Sequence, residues 1–209
     1  MMRLDSLKNQ PDRAGRYTAS FSDGTVLRLY RQTIEDHGLY SGKELDDDEM
    51  SQLREDAAKM SAKMRAVRIL SATSVSKQDL QYRLMQKGED PASAKEAVQW
   101  LSDMDLLDDR ATARQVVSRC AAKGYGIARA KQALYEKRIP KEYWEEALCD
   151  YPDQTEHIVA FLQSRIGENR DDRELRRAMD ALIRRGHSHG EIRRGLEQLS
   201  LNTEEFPEE

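Results

Sequence analysis

Residues 76–91 read SKQDLQYRLMQKGEDP. Ser76 stands where a helix N-cap belongs, with Asp79 at the capping-box position three residues on. Leu80 and Leu84 lie one helical turn apart and form a single apolar stripe. Gly88 is a C-terminal stop, because only glycine enters the left-handed region without a Cβ penalty. Pro91 opens a further helix in its first turn, where a missing N–H costs nothing. The same stop recurs as Lys137-Arg138 and Arg185-Gly186, 50 and then 48 residues on. A period of this length predicts tandem small helical modules rather than one enzyme-like core. Such an array exposes much surface, so the first functional expectation is binding.

Working outward, the first module starts with a helix predicted from about Glu49 to Ser71. Its seam is Met50, Leu53, Ala57, Met60, Met64 and Val67, with a period of 3.5. The acidic run Asp46 to Glu49 suits the positive end of that helix better than a metal. Ala94, Ala97, Val98 and Leu101 mark the third helix. The second module opens at Asp108, an N-cap, with Ala113, Val116, Val117 and Cys120 inward and a stop at Gly124. Ile127, Ala130 and Leu134 follow, then a helix opened by Pro140 with Tyr143, Trp144, Ala147 and Leu148. The third has Ile158, Val159, Leu162 and Ile166 before Gly167, then Leu175, Met179, Leu182 and Ile183 before Gly186. Ser188 and Glu191 form a capping box ahead of Ile192, Leu196 and Leu199. The predicted fold is mainly α: three tandem three-helix repeats in a curved elongated array, with a small N-terminal β-hairpin module. Its boundaries are 1–48, 49–107, 108–150, 151–201 and a disordered acidic tail at 202–209. Leu80, Leu84, Val98, Val116, Leu134, Leu148, Leu162 and Leu182 are the expected core.

The hairpin is read from Asp23-Gly24, a turn dipeptide. A three-residue loop, Ser22 to Gly24, sets Phe21 opposite Thr25, Ala19 opposite Leu27 and Tyr17 opposite Leu29. That register gathers the apolar residues on one face; a two-residue loop would split them. Residues 33–39 are read as a short helix.

Among 209 residues, 38% are hydrophobic and 34% charged, a balance that suits thin amphipathic packing. No apolar run approaches a membrane span, and Met1 to Pro11 holds no signal-like apolar stretch. Cys120 and Cys149 form no CxxC pair, so neither a disulfide framework nor a zinc site is expected, and a cytoplasmic location is. No phosphate-loop, dinucleotide or zinc-protease motif appears. Gly124-Tyr125-Gly126 reads as a helix stop and restart. His187 and His189 flank a capping serine, and His37 and His157 are isolated. Neither a catalytic residue nor a cofactor is expected.

The net charge of −4 is unevenly spread: residues 57–107 and 108–150 are each +2, while residues 1–56 and the last ten are each −4. A protein relying on phosphate neutralisation alone would be more basic. Basic residues with interleaved tyrosines, Tyr125 and Tyr135, can still hold a nucleic-acid backbone or an acidic protein groove. The expected partner strips are Lys77, Arg83 and Lys87, and Arg114, Arg119, Lys123 and Arg129. The plainer alternative for each is a solvated helix face.

Residues 64–88, MRAVRILSATSVSKQDLQYRLMQKG, and 106–139, LLDDRATARQVVSRCAAKGYGIARAKQALYEKRI, together resemble the RecX family of bacterial regulators of the RecA recombinase. The pattern falls at Leu70-Ser71, Ser76 to Leu80, Lys87-Gly88, Leu106 to Asp109, Arg119, Lys123 to Gly126, Leu134 and Lys137 to Ile139. Arg138 departs from it, standing where the family usually has glycine. The resemblance implies a non-catalytic monomer that binds the RecA filament on single-stranded DNA. It implies modulation, most often inhibition, of ATP hydrolysis and strand exchange in recombination, repair and the SOS response. Weak direct contact with DNA is a further expectation, and direct DNA binding by a helical-repeat protein is the alternative function. No membrane partner is expected.

Overall fold

The computed structural model describes residues 1–166 and 172–199; the expected stop at Gly167 and the tail at 202–209 lie outside them. The chain divides into two units, Met1–Leu107 and Asp108–Glu209.

The first unit runs β1 (Met2–Leu7), β2 (Arg16–Phe21), β3 (Val26–Tyr30), α1 (Arg31–Asp36), β4 (Glu44–Leu45), α2 (Asp47–Ala72), α3 (Lys77–Gln86) and α4 (Pro91–Asp103). The β2–β3 hairpin has the three-residue loop: Ala19 faces Leu27 and Tyr17 faces Leu29. Gly24 turns the chain at φ 84°. The Asp23 carboxylate accepts from Thr25 Oγ1 at 2.7 Å and from its N–H at 2.9 Å.

The hairpin is only half of the sheet, however. Four antiparallel strands lie in the order β3-β2-β1-β4, so the two-stranded expectation is corrected. β1 escapes a period-two reading because its register shifts between Leu4 and Ser6. Leu4 is buried, and after the irregularity Leu7 packs on the same core instead of Ser6. β4 closes the sheet through Met2 opposite Leu45.

Helix α2 begins with a reciprocal box. Asp46 accepts from the Glu49 N–H at 2.8 Å, and Glu49 accepts from the Asp46 N–H at 2.9 Å, so the acidic run is a cap. The expected seam holds at Met50 and Leu53 and then fails. Ala62 and Ala66 are buried while Val67 is exposed. The reason is a change of partner: the first half of α2 packs on the sheet core, and the second half packs on α3 and α4, turning a small-residue face inward.

The second unit holds α5 (Asp109–Ala122), α6 (Ile127–Glu136), a 3-10 turn at Lys141–Tyr143 leading into α7 (Trp144–Leu148), α8 (Thr155–Arg165), α9 (Asp172–Arg184) and α10 (His189–Gln198). The helix expected after Pro140 is thus mostly a turn. Two apolar clusters form, one from α5 to α7 and one from α8 to α10. Ile127 and Ile183, expected inward, are 36% and 40% exposed. All eight residues named as core are buried.

The three stops share one geometry. After α3, the Gly88 N–H donates to Met85 O and the Glu89 N–H to Leu84 O. After α6, Arg138 and Ile139 donate to Tyr135 O and Leu134 O. After α9, Gly186 and His187 donate to Ile183 O and Leu182 O. These are Schellman caps, with the left-handed residue at φ 87°, 51° and 88°. Arg138 therefore keeps the conformation that glycine would adopt freely, at a cost of roughly 1–2 kcal/mol for a residue with a Cβ.

Candidate functional site

Charge and concavity coincide in the first unit. The start of β2, the C-terminal half of α2 and α3 surround a cleft of about 440 Å³ lined by Arg16, Arg65, Arg68, Arg83 and Lys87. Three of these cations are held by carboxylates. Arg83 lies 3.0 Å from Asp79, whose side chain is 7% exposed. Arg65 lies 2.7 Å from Glu89, at 8%, and also donates to Lys87 O at 3.0 Å. Arg16 makes two bonds to Asp12, at 2.8 and 3.0 Å. The Arg16 hydrogen bond is the main reason that the Asp12 carboxyl is held down to about 2. Arg68 is held by neutral acceptors, Ala14 O at 2.6 Å and Tyr30 Oη at 2.8 Å. Ala14, Ile69 and Ala72 supply apolar surface between the cations.

The expected strips fare differently. Arg83 and Lys87 meet in this cleft, and Lys77 is exposed in the first turn of α3. In the second unit the four residues do not form one face. Arg114 and Arg119 are five residues apart on α5, roughly 140° around the helix. Arg114 points toward Glu146, 4.0 Å away, which Arg110 already engages at 2.6 Å. Arg119 and Lys123 are exposed and one turn apart. Lys123 and Arg129 both act on the Cys120 thiol, whose pKa is raised chiefly by burial. Arg129 pairs with Glu136 at 2.9 Å, which raises the Arg129 pKa further.

Lys123 and Arg129 flank a joint within the second unit. Gly126 donates to Arg185 O at 3.0 Å, and Ala128 donates to Gly186 O at 3.2 Å. The N-terminus of α6 is thereby capped by carbonyls at the end of α9, joining the positive pole of one helix to the negative pole of the other. A Cβ on Gly126 would sit 2.0 Å from Gly186 O, and one on Gly186 would sit 2.2 Å from Arg129 N. Arg185 stacks over Tyr125 and Phe161, with centroids at 5.5 and 4.8 Å. His187 is buried, with Nε2 at 3.1 Å from Gly124 O, and burial lowers its pKa. The Tyr151 hydroxyl donates to Tyr125 O at 2.6 Å, and burial pushes its pKa up to about 12.

Arg16, Arg65 and Arg68 were not singled out from the sequence. Arg65 and Arg68, three apart on α2, offered a local signal for a basic flank. Arg16 offered none, because only the sheet brings it to that helix. Among the described residues no group of three His, Cys, Asp or Glu could hold a metal ion, and no helix is long and apolar enough to cross a membrane.

A small antiparallel sheet followed by helix triplets, with left-handed stops closing the second helix of each, defines a helical-repeat protein. Residues 108–148 match the family model described as RecX, second three-helix domain. The chain is 32% identical over 132 residues to "Regulatory protein RecX" of Xanthomonas axonopodis pv. citri, covering 62% of this chain and 82% of that protein. It is 22% identical over 210 residues to the protein of the same name from Clostridioides difficile, covering 98% and 97%. The chain belongs to the RecX family. A solved structure titled as regulatory protein RecX matches 96% of this chain and 99% of its own at a TM-score of 0.62 and 18% identity. RecX from Lactobacillus salivarius matches 68% and 97% at 0.58 and 22%. At those identities the structures speak for the fold alone.

Proposed function

We propose that this protein is a non-catalytic cytoplasmic regulator that binds the RecA filament on single-stranded DNA and restrains its ATPase and strand exchange, in recombination and repair. The observation that carries the reading is family membership: the relatives are named as regulatory proteins. In this reading α2–α4, α5–α7 and α8–α10 are three successive binding modules acting as a monomer. Several weak contacts on a repeating filament add through effective concentration. Lys77, Arg83 and Lys87 form one contact strip, and Arg114, Arg119, Lys123 and Arg129 supply the second unit's share. Charge at such surfaces acts mainly on association rate and is screened by salt.

The test is RecA ATPase on single-stranded DNA with substoichiometric protein. A fall in rate is expected, deeper at low salt; an unchanged rate contradicts the proposal. Direct contact with DNA is a second part of the proposal, favoured by the five cations that share one cleft in a chain of net charge −4. A steep salt dependence on naked DNA would mark it.

A further inference from the structure

We propose that the cleft between β2, α2 and α3 takes one nucleotide unit of a single strand, its phosphate held by Arg68 and Lys87 and its base laid on Ile69 and Ala72. This deepens the direct-DNA part of the proposed function and rests on it.

Charge identifies the anion. The cleft is lined by five cations, of which Arg16, Arg65 and Arg83 have carboxylate partners. Arg68 is fixed by two neutral acceptors and keeps its full charge, and Lys87 stands exposed at the cap of α3. The surplus therefore belongs to a guanidinium already set in place and an ammonium beside it. The buried Asp79 and Glu89 anchor Arg83 and Arg65 as well, so little side-chain entropy remains to be lost on binding. A planar guanidinium fits phosphate through paired donors.

Shape selects a nucleotide over an acidic peptide. A carboxylate side chain would satisfy the cations but leave Ala14, Ile69 and Ala72 uncovered. A base covers apolar surface and stacks on guanidinium planes. The volume, about 440 Å³, falls in the roughly 300–1,000 Å³ range of small-ligand sites.

The experiment is fluorescence anisotropy of a labelled oligothymidine without RecA, across a salt series. The parent should bind, with affinity falling as salt rises. Arg68→Gln with Lys87→Gln should weaken binding at least tenfold at low salt. The same pair should reduce the salt slope by about 1.4, at about 0.7 per phosphate on single strands. The charge-matched control Lys8→Gln with Lys131→Gln should change affinity less than twofold. Because Arg68 also bonds Ala14 and Tyr30, Lys87→Gln alone is measured too, with an unchanged melt and about half the slope change expected. Three results overturn the inference: a parent that ignores the strand, cleft variants that bind like the parent, or tight binding of polyglutamate in place of the strand. Thymidine triphosphate competing as well as the strand would overturn the strand assignment in favour of free nucleotide. The two readings fail separately: a parent that slows RecA but ignores naked DNA loses only this inference, and one that binds DNA but leaves RecA untouched loses the filament reading.

Discussion

Lys87 and Arg185 occupy the same place in two helix endings, each at the C-cap before a left-handed glycine. Their surroundings are opposite. Lys87 is exposed and lines an open cleft; Arg185 stacks on two rings inside a joint. A positive charge at a helix C-terminus is favourable in both settings, so the local signature is identical while the use differs. The comparison teaches that a recurring basic stop marks a helix end and says nothing by itself about function. What decides is whether a neighbouring element covers it.

The two glycines provide the sharpest break in that comparison. Around Gly88 a Cβ would meet nothing within 4 Å, whereas at Gly186 it would strike Arg129 N at 2.2 Å. Gly88→Ala should cost about 1 kcal/mol, the left-handed penalty alone. Gly186→Ala should cost about 4 kcal/mol, since roughly 3 kcal/mol of overpacking is added. Denaturant unfolding of the full chain measures both; equal costs would mean that the joint yields.

The side chains should divide the same way. Arg185→Ala should destabilise by about 1–2 kcal/mol through lost ring contacts. Lys87→Ala should stay within about 0.5 kcal/mol, as exposed substitutions do. Arg138→Gly should stabilise by about 1 kcal/mol, because its φ of 51° is strained for arginine; a loss of stability would mean that the side chain makes a compensating contact.

A pH series sharpens the joint further. Burial depresses the His187 pKa from its ordinary 6.5, so the folded state favours neutral imidazole. Its contribution is fully present above pH 6.5 and declines as pH falls toward the folded value, where the unfolded chain binds the extra proton first. His187→Gln should flatten that part of the stability curve. An identical curve in parent and variant would remove His187 as the cause.

Local rules carried much of the fold. The caps at Asp46, Ser76, Asp108 and Ser188, the stops and the hairpin register are decided within a few residues, and they appear as the spacing predicts. What was hidden depends on distant partners. β1 was masked by its own register shift, and the alanine face of α2 follows from a change of packing partner at mid-helix. Half of the cleft was legible, because Arg83 and Lys87 share α3. Arg16 and Arg68 join them only through the sheet, which no spacing along the chain encodes. Arg114 and Lys123, nine residues apart on α5, lie roughly 180° around it, so a list of basic residues became a strip only until helical phase was applied.

The central claim is that exposed cations of the first unit meet the partner while those at the joint hold the fold. It is tested most directly by comparing Lys77→Glu with Lys87→Glu against Arg129→Glu in the RecA ATPase assay at low salt, each beside a thermal melt. The account predicts that the first pair loses at least tenfold in inhibitory potency with an unchanged melt, while Arg129→Glu lowers the melt by breaking its pair with Glu136. A first pair that inhibits as the parent does, or a collapsed melt in that pair with Arg129→Glu unaffected, would contradict it.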